Sequence, residues 1–307
     1  MDTEAIDVSG TVLLRPERLA AVAFFMTQWA SLEDFVGRRR KLFVLTGAGC
    51  STGSGIPDYR DGAGNWKRMK PVTYQAFMGD EATRRRYWAR SLLRWTRFRE
   101  ARPNQAHRAL ARLEALGKIE LLLTQNVDRL HQAAGSARVI DLHGRLDRVR
   151  CMGCGLRAPR EELQEELARL NPVWLGLDAM DAPDGDADLE SADFSSFEVC
   201  SCRRCGGVLK PDVVFFGENV PRDRVDMAAQ HLEQADAMLV VGSSLMVYSG
   251  YRFVEMAARL GKPAAAINLG RTRADGLLAL KVERPCEAAL AFLMEKIRAL
   301  VPPTPGS

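Results

Sequence analysis

Leu42-Phe43-Val44-Leu45-Thr46-Gly47-Ala48-Gly49-Cys50-Ser51-Thr52-Gly53-Ser54-Gly55-Ile56-Pro57-Asp58-Tyr59-Arg60 runs from an apolar stretch into a loop with four glycines within nine residues. A buried strand that ends in such a turn presents backbone N–H groups and a helix start to a phosphate. The tail Ile56-Pro57-Asp58-Tyr59-Arg60 adds a rigid turn, a carboxylate and a guanidinium, which a purely structural turn does not need. The dinucleotide fingerprint Gly-x-Gly-x-x-Gly is missed by one position, because Thr52 stands where the third glycine belongs and Gly53 follows. No strand ending in Asp or Glu follows at the ribose-binding distance, and no Gly-Lys-Ser/Thr marks a Walker loop. Two readings stay open on the loop alone: a dinucleotide held in an unusual way, or a glycine turn with no ligand.

The chain has 307 residues, enough for one large domain and a smaller module. Its composition, 47% hydrophobic and 27% charged, is that of a globular protein. A net charge of +4 is too small to argue for nucleic acid, and the excess of Arg over Lys reads as compositional bias. Asp2, Glu4 and Asp7 at the N-terminus fit neither a secretory signal nor a mitochondrial presequence, and no apolar run is long enough to span a membrane. The expectation is a cytoplasmic monomer whose seven cysteines are thiols or metal ligands rather than disulfides.

Helical spacing of Leu19, Val22, Phe25 and Met26 predicts a helix over 16–36. Strands are expected at 42–46, 119–124, 139–142, 237–241 and 264–269, with a short extended piece at 213–216. Helices are expected at 106–116, 225–234, 251–260 and 287–300. Alternating strands and helices define an α/β fold with a doubly wound, Rossmann-like parallel sheet, built from 16–57, 101–147 and 209–300. The Arg-rich segment 58–100 reads as a helical flap rather than core. Residues 148–208, where cysteines concentrate, read as a separate small module; 1–15 and 301–307 read as flexible termini.

Cys151-x-x-Cys154 and Cys202-x-x-Cys205 form two thiolate knuckles, each followed by glycine (Gly155, Gly206), as tetrahedral Zn²⁺ requires. Four thiolates close the coordination sphere, so one structural zinc is expected; a redox pair is the competing reading. Cys200 is too close to Cys202 for the same knuckle and is read as a free thiol. The 47 residues between Cys154 and Cys202 include an acidic insertion, 171–199, with eight Asp or Glu and no Lys or Arg. It is read either as a solvated insertion or as a loop reaching the active site, anchored by Trp174 and Leu175–Leu177.

Thr124-Gln125-Asn126-Val127-Asp128 closes one strand, where open α/β sheets bind ligands. Its amides and carboxylate suit a carboxamide and ribose hydroxyls, against the plainer reading of a helix cap. His143 ends the next strand beside Gly144, placed to accept a proton near neutral pH. His107 and His131 read as packed or capping, and His231 as exposed. Gly242-Ser243-Ser244 and Asn268-Leu269-Gly270 end the last two strands with small and polar groups.

Together these segments resemble the sirtuin family of NAD-dependent protein-lysine deacylases over roughly 40–300. The motifs are GAGCSTGSGIPDYR, TQNVDRLH, His143-Gly144, the four cysteines, KPDVVFFGE and GSSL. The cysteine spacing, Asn171-Pro172-Val173-Trp174, Ala182-Pro183-Asp184-Gly185-Asp186 and Val247-Tyr248-Ser249-Gly250-Tyr251 look most like the class II group containing mitochondrial sirtuin 4, in a bacterial form. The resemblance implies NAD as co-substrate, with Gly47, Ala48, Gly49, Ser51, Ile56, Asp58, Tyr59 and Arg60 lining the cofactor loop. It implies that Gln125, Asn126 and Asp128 hold nicotinamide and its ribose, and that Gly242, Ser243, Ser244, Asn268, Leu269, Gly270 and Cys286 contact the adenosine half. His143 is implied as general base and Asn126 as its catalytic companion. The implied reaction has the acyl-lysine oxygen attack the ribose carbon as nicotinamide leaves. A ribose hydroxyl, deprotonated with help from His143, then attacks the resulting alkylamidate, yielding lysine and O-acyl-ADP-ribose. Val213, Phe215, Phe216, Gly217 and Glu218, with Ser244–Val247, are implied to flank an acylated peptide as added strands. Tyr87 and Arg90 resemble a pair that selects acidic acyl chains. A mono-ADP-ribosyltransferase on the same scaffold and a non-enzymatic zinc-ribbon module are the alternatives.

Overall fold

The computed structural model describes residues 5–6, 12–13, 28–58, 60–65, 67, 71–176 and 193–300. A short antiparallel pair, β1 (Ala5–Ile6) with β2 (Val12–Leu13), lies near the N-terminus. The main body is one parallel sheet of six strands: β3 (Leu42–Thr46), β4 (Ile119–Thr124), β5 (Val139–Asp141), β9 (Ala237–Val241), β10 (Ala264–Ile267) and β11 (Leu280–Val282). Their order is β11-β10-β9-β3-β4-β5. Every residue of β3, β4, β9 and β10 is buried, as expected for strands covered on both faces.

Side chains alternate between two cores. Leu42, Val44, Leu122, Leu239, Val241 and Ile267 pack toward the helix over 28–37 and the helices Gln105–Ala115 and Cys286–Leu300. Phe43, Leu45, Leu121, Leu123, Met238 and Val240 face the helices Arg222–Gln234 and Tyr248–Arg259. The chain leaves β3 toward β4 and β5 on one side, and leaves β9 toward β10 and β11 on the other. The switch point therefore lies between β3 and β9, where a crevice opens outside the strand ends. The glycine loop sits there: Gly47 N–H donates to Val241 O and Gly49 N–H to Gly242 O.

A second, smaller sheet carries the cysteines. Its strands β6 (Gly144–Cys151), β7 (Arg157–Pro159) and β8 (Leu209–Val213) are antiparallel in the order β7-β6-β8. The expected boundary at 147/148 thus falls inside β6. The segment 58–100 also differs from a polar flap, because its helix Glu81–Glu100 buries Trp88, Ala89, Leu92, Leu93 and Trp95. Several of these share a core with Val149, Leu163, Leu167, Trp174 and Phe197 of the cysteine-bearing module. Arg160 is fully buried between the rings of Trp88 and Trp95, at 5.3 and 5.0 Å, and fastens the two segments together. The Arg residues that made the segment look polar leave one helical face free for packing.

Smaller differences concern edges. The helix expected over 16–36 is seen over 28–37, and Leu19, Val22, Phe25 and Met26 lie outside the described residues. So do Tyr59, Leu177, the insertion from 177 to 192 and the tail 301–307. Three-residue β11 had no sequence signal of its own. His231, expected to be exposed, is partly covered, with Nδ1 3.0 Å from Glu120 Oε1. No helix among the described residues is long and apolar enough to cross a membrane.

Candidate active site and zinc centre

The loop after β3 folds into two short 3-10 turns, Ala48–Cys50 and Thr52–Ser54. A Cβ on Gly47 would lie 2.8 Å from both Gly242 O and Ser243 Cβ, so the two strand-end loops can touch only through glycine. Gly242 itself holds φ +63, with Cys50 N in the space a Cβ would need. Behind this contact, Asn126 Nδ2 donates to Gly47 O at 3.1 Å and Ser51 Oγ at 2.9 Å. Ser51 Oγ in turn donates to Asp128 Oδ2 at 2.7 Å. Asp128 Oδ1 accepts from Leu130 N at 2.9 Å. Burial raises the Asp128 carboxyl pKa against the pull of these hydrogen bonds.

Gln125 connects this group to the rest of the crevice. Its Oε1 accepts from Ser243 Oγ at 2.6 Å, while its backbone O lies 3.0 Å from His143 Nδ1. The other ring nitrogen, Nε2, is 2.7 Å from Ser249 Oγ. Burial pushes the His143 imidazole down to about 4, assisted by the Arg224 and Arg252 guanidiniums and opposed by the Gln125 carbonyl. The ring is therefore neutral at physiological pH and can accept a proton. Among the described residues, two that are not glycine have left-handed backbone, Arg129 (φ 66) and Leu245 (φ 57), each a few residues beyond the end of a sheet strand. Such conformations cost on the order of 1–3 kcal/mol each and cluster at functional sites. Arg129 is tied down by an ion pair with Asp141.

Other expected residues occupy varied positions. Arg60 Nη1 donates to Gly64 O at 2.7 Å, and Asp58 pairs with Lys67 at 2.5 Å, so both brace the segment that follows the loop. Ile56 is half-buried; Ala48 lies in the first 3-10 turn. Asn268 Nδ2 donates to Leu269 O at 2.9 Å, and Gly270 packs on Gly62, which leaves Leu269 exposed at the crevice's far end. Ser244 O accepts from Arg273 N, and Cys286 is buried with Sγ 3.8 Å from Ile267 O. Burial raises the Cys286 thiol to about 12, so it is inert packing on its sulfur side.

The expected peptide-flanking segment is partly committed to its own fold. Val214 N–H donates to His143 O, Phe215 N–H to Glu218 Oε2, and Phe216 O accepts from Tyr74 N. Gly217 O accepts from Gln75, and Glu218 also pairs with Lys210 at 3.0 Å. Val213 ends β8. An added strand would find several of its ladder partners already used. Tyr87 sits in an aromatic cluster with Phe77, Trp88 and Phe215, at centroid distances of 5.3 Å each. Arg90 lies one turn further along that helix, partly buried.

The sequence pointed to the strand ends but not to what closes the crevice from the helix side. Ser249 and Thr46 carry no local signal, since their partners are 106 and 85 residues away in the chain. Cys50, His107 and His131 form a second buried Cys/His group beside the loop. Burial holds His107 near 4 and His131 well below its ordinary range. Three of the four ring nitrogens have hydrogen-bond partners in Ser51, Asn104 and Thr46, as expected for packed histidines.

The four knuckle cysteines converge as their spacing implied. Cys151 Sγ and Cys205 Sγ are 3.5 Å apart, and Cys154 Sγ and Cys202 Sγ 3.8 Å. A tetrahedron with 2.3 Å metal–sulfur bonds has edges of about 3.8 Å. The donor set therefore fits Zn²⁺, with all four positions filled by protein. Cys200 stands apart, buried in the small core, and burial pushes its thiol to about 12. For NAD, the fit rests on the hydroxyl, amide and carboxyl groups of Ser51, Asn126 and Asp128, which hydrogen-bond to one another at the switch point. The buried Ser54 hydroxyl, which has no partner among the described residues, is a further donor within the same loop.

Fold and site together define a class: a nucleotide-binding α/β protein with a structural zinc ribbon and a neutral histidine at the crevice. The Sir2 family model matches residues 47–249. The chain belongs to the Sir2 family. It is 72% identical over 264 residues to NAD-dependent protein deacetylase 2 of Bradyrhizobium diazoefficiens, covering 86% of this chain and 97% of that one. It is 68% identical over 265 residues to an NAD-dependent protein deacetylase of Xanthomonas campestris pv. campestris, covering 86% and 90%. Among solved structures, a Sir2–p53 peptide–NAD+ complex superposes with TM-score 0.69 at 31% identity, covering 89% of this chain and 99% of that one. A Sir2 structure described in terms of mechanism and regulation reaches 0.72 at 29% identity, covering 90% and 99%.

Proposed function

We infer that the protein is a deacetylase of lysine side chains in proteins that consumes NAD, moving the acetyl group to ADP-ribose and releasing nicotinamide. One observation carries the residue assignment: an unbroken set of contacts runs Asp128–Ser51–Asn126–Gly47 and Ser243–Gln125–His143 across the switch point. NAD supplies the ribose that accepts the acyl group and the leaving nicotinamide. Asn126, held by Ser51 and the Gly47 carbonyl, orients the nicotinamide ribose, and Asp128 anchors the loop around it. His143 accepts a ribose hydroxyl proton on Nε2 and is the general base. The Zn²⁺ is structural, since its four thiolates leave no position for substrate.

The acyl group proposed is acetyl. The name borne by the relatives supports this, and so does the packing of the Tyr87 ring among Phe77, Trp88 and Phe215. The protein is proposed to act in the cytoplasm, in line with seven unpaired cysteines, and as a monomer, since one chain supplies every group named. The test is mass spectrometry of acylated lysine peptides incubated with NAD. The expected result is NAD-dependent loss of acetyl with O-acetyl-ADP-ribose formed, abolished in His143→Ala. Stable ADP-ribose on protein as the main product would favour the transferase reading. Turnover confined to acids such as succinyl-lysine would return Tyr87 and Arg90 to the acyl site.

A further inference from the structure

The proposed base is held by Ser249, a residue to which the sequence motifs gave no role. His143 Nδ1 faces the Gln125 carbonyl, which can only accept, so the ring proton sits on Nδ1 and the lone pair on Nε2. That lone pair meets Ser249 Oγ at 2.7 Å, so the hydroxyl donates. Ser249 is 8% exposed and lies in the first turn of the helix Tyr248–Arg259. The turn packs directly on Gln125: a Cβ on the next residue, Gly250, would sit 2.6 Å from Gln125 Nε2, so only glycine allows the approach. Gln125 thus fixes the imidazole from one side and the seat of Ser249 from the other. The charged groups that act on the ring are Arg224 and Arg252, from two helices, and both disfavour an imidazolium.

We propose that Ser249 is the positioning residue of the His143 base, its hydroxyl occupying the Nε2 lone pair and aiming it into the crevice until a substrate hydroxyl takes its place. No proton changes owner in this exchange. The Ser249 O–H turns away with its own proton, and the incoming hydroxyl donates to the nitrogen already oriented for it. A ring without this contact is tethered only through Nδ1 and can rotate about that bond, which spreads the lone pair over unproductive directions. The inference rests on the reading of His143 as base and adds the group that orients it.

The test reads the ring before any substrate is present. In the full chain labelled with nitrogen-15 histidine, His143 should be a single Nδ1–H tautomer. Ser249→Ala should raise its pKa by roughly half a unit or more, because a donor that favoured the neutral ring is gone. Ser249→Cys keeps the side-chain volume but offers only a weak donor, and should behave like Ser249→Ala. Ser249→Thr keeps the hydroxyl and should restore the wild-type spectrum. With NAD and an acetylated peptide, kcat/KM for deacetylation should fall about tenfold in the Ala and Cys variants, the worth of one such hydrogen bond. Its acid limb should move to higher pH, while exchange of labelled nicotinamide into NAD, which precedes the base step, stays within about twofold. An unchanged His143 tautomer and pKa in both variants would overturn the proposal, as would equal losses in exchange and deacetylation. Full deacetylation by His143→Ala would instead remove the reading of the base itself, a separate result.

Discussion

Three imidazoles around the glycine loop are kept neutral by burial, and this gives the protein a defined acid weakness. His107 and His143 titrate near 4 in the fold, against an ordinary value of 6.5, and His131 is displaced in the same direction. A depressed histidine contributes stability that is fully present above about 6.5 and is lost as the pH falls toward its folded value, because the unfolded chain binds the extra protons. For His107 and His143 together the loss between pH 7 and pH 5 is about 4 kcal/mol. The urea midpoint should therefore fall steadily over this interval; a flat midpoint would contradict the burial of these rings as a charge-excluding device. Of the residues named from sequence, Asn126, Asp128 and His143 could be found because strand ends are where such sheets bind ligands. Ser249 could not, because its significance exists only once Tyr248–Arg259 is packed against Gln125.

At the scale of elements, the helix Glu81–Glu100 is the clearest lesson. Its Arg residues dominate the composition, yet Leu92 is 1% exposed and Arg86 is exposed. Leu92→Ala should cost about 2–5 kcal/mol in chemical unfolding. Arg86→Ala on the outer face should change stability by less than about 0.5 kcal/mol; comparable effects would mean the helix is a flap after all. Buried parallel strands such as Leu42–Thr46 and Ala237–Val241 were legible because they are continuous apolar runs between turn signals. Gly144–Cys151, which reads Gly-Arg-Leu-Asp-Arg-Val-Arg-Cys, was not, since only Gly144, Val149 and Cys151 are buried, one antiparallel partner, Arg157–Pro159, is only three residues long, and the other, Leu209–Val213, lies far along the chain. That strand begins immediately after His143. Gly144 has φ +82, and a Cβ there would lie 2.1 Å from Asp212 O. Gly144→Ala should cost at least about 3 kcal/mol, or force β8 away from β6, and deacetylation should fall with it.

Across the whole molecule, two bodies with separate cores are stitched at the crevice. The parallel sheet owns two cores, and the helix Glu81–Glu100 joins the cysteine-bearing module in the third. Metal binding reinforces only the latter, because the thiolates sit at the ends and turns of the small sheet. Stripping zinc with a chelator should accelerate amide exchange in β6 and β8 while β3, β4 and β9 keep their protection. Uniform acceleration throughout would show one cooperative unit instead. Deacetylation should be lost with the metal, since Val214 N–H holds the His143 carbonyl from the small sheet's side.

Where the acidic insertion leaves and rejoins that module, one side chain does the joining. Asn171 Nδ2 donates to Glu198 O at 2.9 Å and Asn171 Oδ1 accepts from Glu198 N at 2.7 Å, as a neighbouring strand would. Trp174 stacks on Phe194 and meets Phe197 edge-on, bringing the two flanks of the insertion together with apolar contact. The two ends are thus already clasped by residues outside the segment between 176 and 193. The clasp makes this a port for cargo: an epitope or fluorescent reporter spliced between 176 and 193 should leave the melting temperature within a few degrees. The same cargo placed in an Asn171→Ala background should melt distinctly lower.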